Sequence, residues 1–248
     1  MIDFPIPSCS PVSPAEAMHA WARRSAPWFG AAALAFLTLG FVDGLLLRPA
    51  SEWHADANRI LLLHLPTVWI SLATYAVVVV LSVCVIGYRN RLAALLSSAL
   101  APTGIVFALL ALWSGALWER PMRGAWWDWD VRAVTGLLLL VLFLGIVATK
   151  AMIEEPRRAD RAGALIALVG AANLAVLFFS MRWWDAMRRG GTPSPELPAV
   201  TPSVMIDLAF VTAGFAAYVL FAALMRVRFL IAEQEWQASA HCLLEKDR

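Results

Sequence analysis

The stretch Trp118-Glu-Arg-Pro-Met-Arg-Gly-Ala-Trp126-Trp127-Asp128-Trp129-Asp130-Val-Arg132 lies between two long apolar runs, one beginning near Leu92 and the other at Ala133. Tryptophan is large and amphipathic, and it belongs where a ring face meets an apolar surface and the indole N–H meets water. A segment this dense in tryptophan, with Asp and Arg interleaved, therefore marks the point where one membrane-length helix leaves the bilayer and the next enters it.

Further apolar runs begin near Trp28, Ile60, Ala162 and Ser203, and each reaches the roughly 20 residues needed to cross a hydrocarbon core. The 248 residues are 60% hydrophobic and only 15% charged, with a mean hydropathy of +0.68. A soluble domain is about half apolar and a quarter charged. The expected fold class is thus all-α: a polytopic membrane bundle of six transmembrane helices, with the tryptophan-rich segment between helices three and four. The helices are expected from about Trp28 to Leu47, Arg59 to Tyr88, Leu92 to Leu117, Ala133 to Met152, Ala162 to Met181 and Ser203 to Met225.

Residues 1–26, with Pro5, Pro7, Pro11 and Pro14, read as a mobile cytoplasmic N-terminal tail. Residues 27–227 form the membrane domain, with its tryptophan segment at 118–132, and 228–248 a cytoplasmic C-terminal tail. The first apolar run has no convincing small-residue cleavage site behind it and is expected to be retained. The net charge is only +2. The segments holding Arg23, Arg24, Arg89, Arg91, Lys150, Arg157, Arg158, Arg161, Arg226, Arg228, Lys246 and Arg248 outweigh those on the other face, so the positive-inside rule favours both termini in the cytoplasm. Cys9, Cys84 and Cys242 lack any CxxC spacing, which argues against a disulfide framework or a thiolate metal site.

This topology brings His64, Trp53, Trp118, Trp126, Trp127, Trp129, Trp183 and Trp184 to one face of the membrane. His64 lies among leucines about one and a half helical turns inside the boundary, where an ionisable ring is a candidate functional group. It either serves a ligand or hydrogen-bonds a neighbouring helix, and the stretch alone does not choose. Pro66, two residues on, weakens the local ladder and bears on the ring's orientation. The tryptophan run is too concentrated for a scattered aromatic belt and is read as a flat aromatic shelf with charged edges. Such a surface suits a planar, hydrophobic, acid-bearing ligand such as a tetrapyrrole. Alternation would put Trp127 and Trp129 on one face and Asp128, Asp130 and Arg132 on the other; a helical turn would group them differently. Arg59, Arg120, Arg123 and Arg132 can each fork onto a carboxylate, or reach lipid phosphate, and Arg132 can pair with Asp128 or Asp130. Asp43 and Asp207, near helix ends, read as solvated or capping groups.

The string Leu-His64-Leu-Pro66-x-x-Trp69, the Ala101-Pro102-x-Gly104 of helix three, and Trp118-x-x-Pro121-Met122-x-Gly124-x-Trp126-Trp127-x-Trp129-Asp130-x-Arg132 resemble the haem-handling WWD family. Within it they look most like the haem exporter protein C of cytochrome c maturation, over about residues 20 to 230. The resemblance implies a bacterial inner-membrane protein that holds haem b at its periplasmic face and passes it to a periplasmic haem chaperone. In this reading His64 ligates the iron. Trp118, Trp126, Trp127, Trp129 and Asp130 form the cradle, and Arg59 and Arg132 lie near the propionates. It also implies two ABC transporter subunits and a small single-helix subunit as partners, membrane lipid around the bundle, no nucleic-acid partner, and no bond-making chemistry by this chain alone.

The family's second axial histidine, a few residues after a Trp-Trp pair, has no counterpart in Trp183-Trp184-Asp185-Ala-Met187-Arg188-Arg189-Gly190. Arginine is no neutral iron donor; Met187 reads either as a thioether ligand or as a packing residue, and His54 is another candidate, in a loop that matches no ligand of the family. Glu119, Arg123 and Asp128 also depart from the family's small or apolar residues. The rival classes are a small-solute permease with a tryptophan collar and a non-haem structural subunit of a membrane complex. Few intramembrane charges are present to line a solute path.

Overall fold

The computed structural model describes residues 14–47, 59–188 and 202–246, with side chains over 18–47, 59–120, 124–179 and 202–233. The described residues are helical, apart from short connections, and contain no strand. The helices are α1 (Pro14–Phe41), α2 (Leu61–Tyr88), α3 (Arg91–Arg123), α4 (Val131–Met152), α5 (Pro156–Arg188) and α6 (Pro202–Lys246), with a π-helical turn, Val42–Leu47, closing α1. Among the described residues six helices are long and apolar enough to cross a membrane, and the chain is a multi-pass membrane protein.

Connectivity alternates the helix directions. The α2–α3 turn is tight: Arg89 takes the left-handed conformation at φ 52°, and Asn90 caps α3 by accepting from the Leu92 and Ala93 N–H groups at 2.9 and 3.3 Å. In sequence order α2 packs on α3, α3 on α4 and α4 on α5, while α1 lies along α6. One apolar core joins Leu62, Tyr75, Val78, Phe107, Phe143 and Val211. Small residues set its closest approaches. A β-carbon at Gly104 would run into the Phe143 ring, so α3 and α4 meet where only hydrogen fits.

Four helices extend beyond the expected limits, among them α3, which runs on from Leu117 to Arg123. α1 begins at Pro14, so residues 14–26 of the expected tail are helical. Proline is well placed at a helix's first position, and Ala22 and Ala26 are buried against Leu224 of α6. α6 continues past Met225, and its Val227 and Ile231 pack with Ala99 and Met18. The two extensions cover each other, a tertiary contact that hydropathy does not register. α5 likewise runs on to Arg188, so Trp183, Trp184 and Met187 fall on helical backbone and not in a loop. Asp207 departs further from expectation: it is fully buried beneath Gly44 and is not solvated.

Candidate functional site

At the end of the bundle where α2, α4 and α6 begin and α1, α3 and α5 end, the tryptophan segment splits into two conformations. Trp118, Glu119 and Arg120 belong to the last turns of α3, which stops at Gly124. Gly124 has φ 77°, a left-handed cap in which glycine avoids the Cβ penalty, and its N–H donates to the Arg120 carbonyl at 2.9 Å. Residues 125–130 then run without helix to Val131. This non-helical run brings the rings of Trp127 and Trp129 together. Their rings meet edge to face, with centroids 5.6 Å apart and planes at 76°. The expected flat shelf is therefore a corner, because an edge-to-face contact satisfies the ring quadrupoles better than a face-to-face sandwich. Trp126 stands apart, its ring covered by the Arg120 guanidinium at 4.2 Å.

The two acids of the segment differ. Asp128 is exposed. Asp130 is buried and caps α4, its Oδ1 accepting from the Ala133 N–H at 2.8 Å. Its Oδ2 lies 3.0 Å from both Nε and Nη2 of Arg132. Arg132 is thus held as an ion pair, with 38% of its side chain still exposed.

His64 sits in the first turn of α2 against α3. Its Nδ1 lies 3.1 Å from the Ser114 hydroxyl, and a β-carbon at Gly115 would come within 3.1 Å of its Cε1. Arg132, in the first turn of α4, lies at the same end of the bundle. Pro66 and Thr67 beside it are buried, and the Thr67 hydroxyl donates to the carbonyls of Leu63 and His64 at 3.0 and 2.8 Å. Ser114 and Gly115 escaped the sequence reading. The α2–α3 hairpin register would have found them: His64 and Gly115 are equally far from the Arg89–Asn90 turn, 64 to 89 and 90 to 115. By the same register Arg59 stands level with Arg120.

Among the described residues, three donors at this end are buried without a hydrogen-bond partner: Arg59 Nε, Trp118 Nε1 and Trp127 Nε1. An unmet buried donor costs about 1–3 kcal/mol, more for a charged one, so the arrangement suits an acceptor-bearing anion. His54 lies outside the described residues, and the side chain of Met187 lies outside them as well.

The family model described as "Heme exporter protein C" matches residues 9–241. Among curated relatives, Heme exporter protein C of Escherichia coli (strain K12) is 32% identical over 209 residues, covering 84% of each chain. That of Bradyrhizobium diazoefficiens is 34% identical over 204 residues, 78% of this chain and 77% of the relative. That of Haemophilus influenzae is 27% identical over 226 residues, 91% and 92% of the two chains. The family model covers nearly the whole chain and the relatives most of it, and the chain belongs to the heme exporter protein C family.

Proposed function

We propose that this chain binds haem b at the periplasmic face of the bacterial inner membrane and delivers it to a periplasmic haem chaperone for c-type cytochrome biogenesis. The observation that carries this reading is the cluster of unmet buried donors, Arg59 Nε, Trp118 Nε1 and Trp127 Nε1, at the end of the bundle that holds His64 and Arg132. The family to which the chain belongs supports it by name. Haem is the cargo, and its iron needs an imidazole and its propionates need cations. His64 supplies the first. Arg59 and Arg132 supply the second, Arg132 being oriented by Asp130.

Trp127 and Trp129 offer an indole corner against which the macrocycle packs. Trp126, clamped by Arg120, closes one side, and Trp118 closes another. The second axial ligand is Met187 or His54; only the variant that removes the true ligand will shift the ligand-field bands. Both termini lie in the cytoplasm, which sets the site on the outer face. The chain works with two ABC transporter subunits and a small single-helix subunit, and its task is transfer, without covalent chemistry of its own.

The test is complementation. In a bacterium lacking its own heme exporter protein C, expression of this chain restores covalently haem-stained c-type cytochromes, and the His64→Ala variant does not. Full restoration by the variant at equal membrane abundance would contradict the reading.

A further inference from the structure

We propose that Ser114 is the positioning residue for His64, fixing the imidazole tautomer so that Nε2 is the nitrogen offered to iron. This deepens the haem-binding reading above and rests on it. The destination of the Ser114 hydroxyl proton decides the tautomer. Ser114 Oγ lies 2.6 Å from the Leu110 carbonyl and 3.2 Å from that of Ala111, one turn back on α3. A carbonyl only accepts, and a hydroxyl has one proton to give. That proton is committed to the helix backbone, and the oxygen therefore turns a lone pair toward His64.

The nitrogen 3.1 Å away is Nδ1, so Nδ1 carries the ring proton, with the Ala111 carbonyl, 3.2 Å from the same serine oxygen, as a further acceptor beside the ring. A neutral imidazole has one donor and one acceptor nitrogen, and the lone pair falls on Nε2. Ser114 is fully buried, which keeps water from competing for the contact. Gly115 completes the seat: with no β-carbon, α3 comes close enough to the Cε1 edge for the serine to reach Nδ1. Histidines that bind metal commonly donate their other N–H to a fixed acceptor, and loss of that acceptor costs 10–100-fold in affinity. A serine whose own proton is tied down does the same work as a carbonyl.

The experiment uses the full-length protein in detergent, first without haem and then titrated with haem b. With histidines labelled in 15N, and the His64 signals assigned by their loss in His64→Ala, the haem-free protein shows a protonated Nδ1 and a bare Nε2. Ser114→Ala mixes the tautomers and weakens haem b binding about 10–100-fold. Ser114→Thr, which keeps the hydroxyl and its bond to the backbone, restores both. A helix-packing role alone would leave the nitrogen shifts unmoved. A protonated Nε2 in the unsubstituted protein, or a Ser114→Ala variant with unchanged shifts and unchanged affinity, overturns the proposal while leaving His64 as ligand. A haem spectrum unaffected in His64→Ala overturns the ligand assignment, and this proposal with it.

Discussion

Asp130 holds Arg132 through a single oxygen, Oδ2, at 3.0 Å from both Nε and Nη2, while its Oδ1 caps α4 at 2.8 Å from the Ala133 N–H. One carboxylate thus starts a membrane helix and orients the arginine beside it. The two jobs separate by substitution, because asparagine caps a helix about as well as aspartate but carries no charge. Asp130→Ala is expected to lower stability by about 0.5–2 kcal/mol, read by unfolding in detergent, and to weaken haem binding. Asp130→Asn should stay near the unsubstituted protein in stability and fall with Asp130→Ala in haem binding. Equal loss of stability in both variants would contradict the cap.

The corner made by Trp127 and Trp129 predicts coupling. Each single alanine variant should lower haem affinity while leaving the protein in the membrane. Because each ring supports the other at 5.6 Å, the double variant should lose less than the two single losses combined, with a coupling of about 0.5–1.5 kcal/mol. Strict additivity in a haem titration would mean that the rings act independently.

Gly115 and Gly136 offer a matched comparison. A β-carbon at Gly115 meets the His64 ring at Cε1, 3.1 Å away, whereas one at Gly136 meets only the end of the Leu112 side chain, 3.2 Å away. Leu112 can turn aside and a hydrogen-bonded imidazole cannot. Gly115→Ala should weaken haem binding several-fold and Gly136→Ala should leave it unchanged, both measured by titration of purified protein. The same loss in both would remove the special role of the His64 seat.

Much of the fold could be read from the chain because lipid leaves the backbone few choices: runs of this length must be helices, and six were expected and found. The helix ends were read less well. Residues 14–26 and those beyond Met225 are helical because α1 and α6 cover each other there, and hydropathy carries no trace of a contact between chain ends. At the site, alternation and a helical turn were both open groupings of the tryptophans; the structure pairs Trp127 with Trp129 at 76°, an angle that composition does not give. Ser114 was hidden because serine is unremarkable in a membrane helix; only the hairpin register places it beside His64. Pairing of Arg132 with Asp130 was one of several open readings, and the N-cap geometry explains why Asp130 and not Asp128 took that part: Oδ1 of Asp130 meets the Ala133 N–H.

The α3–α4 crossing carries a stability prediction distant from the site. A β-carbon at Gly104 collides with the Phe143 ring, which is itself fully buried. Overpacking of this kind costs about 1–3 kcal/mol. Gly104→Ala should lower the unfolding midpoint in detergent, and a smaller side chain at 143, as in Phe143→Leu, should recover part of it in the double variant. A Gly104→Ala protein as stable as the parent would show that α3 and α4 are not so closely packed.

The most direct measurement is the visible absorption spectrum of the purified full-length protein loaded with haem b, compared with His64→Ala. Ligation through the imidazole predicts a Soret and Q-band pattern of a low-spin haem that shifts or disappears in the variant. Identical bands and occupancy in the two proteins would contradict it.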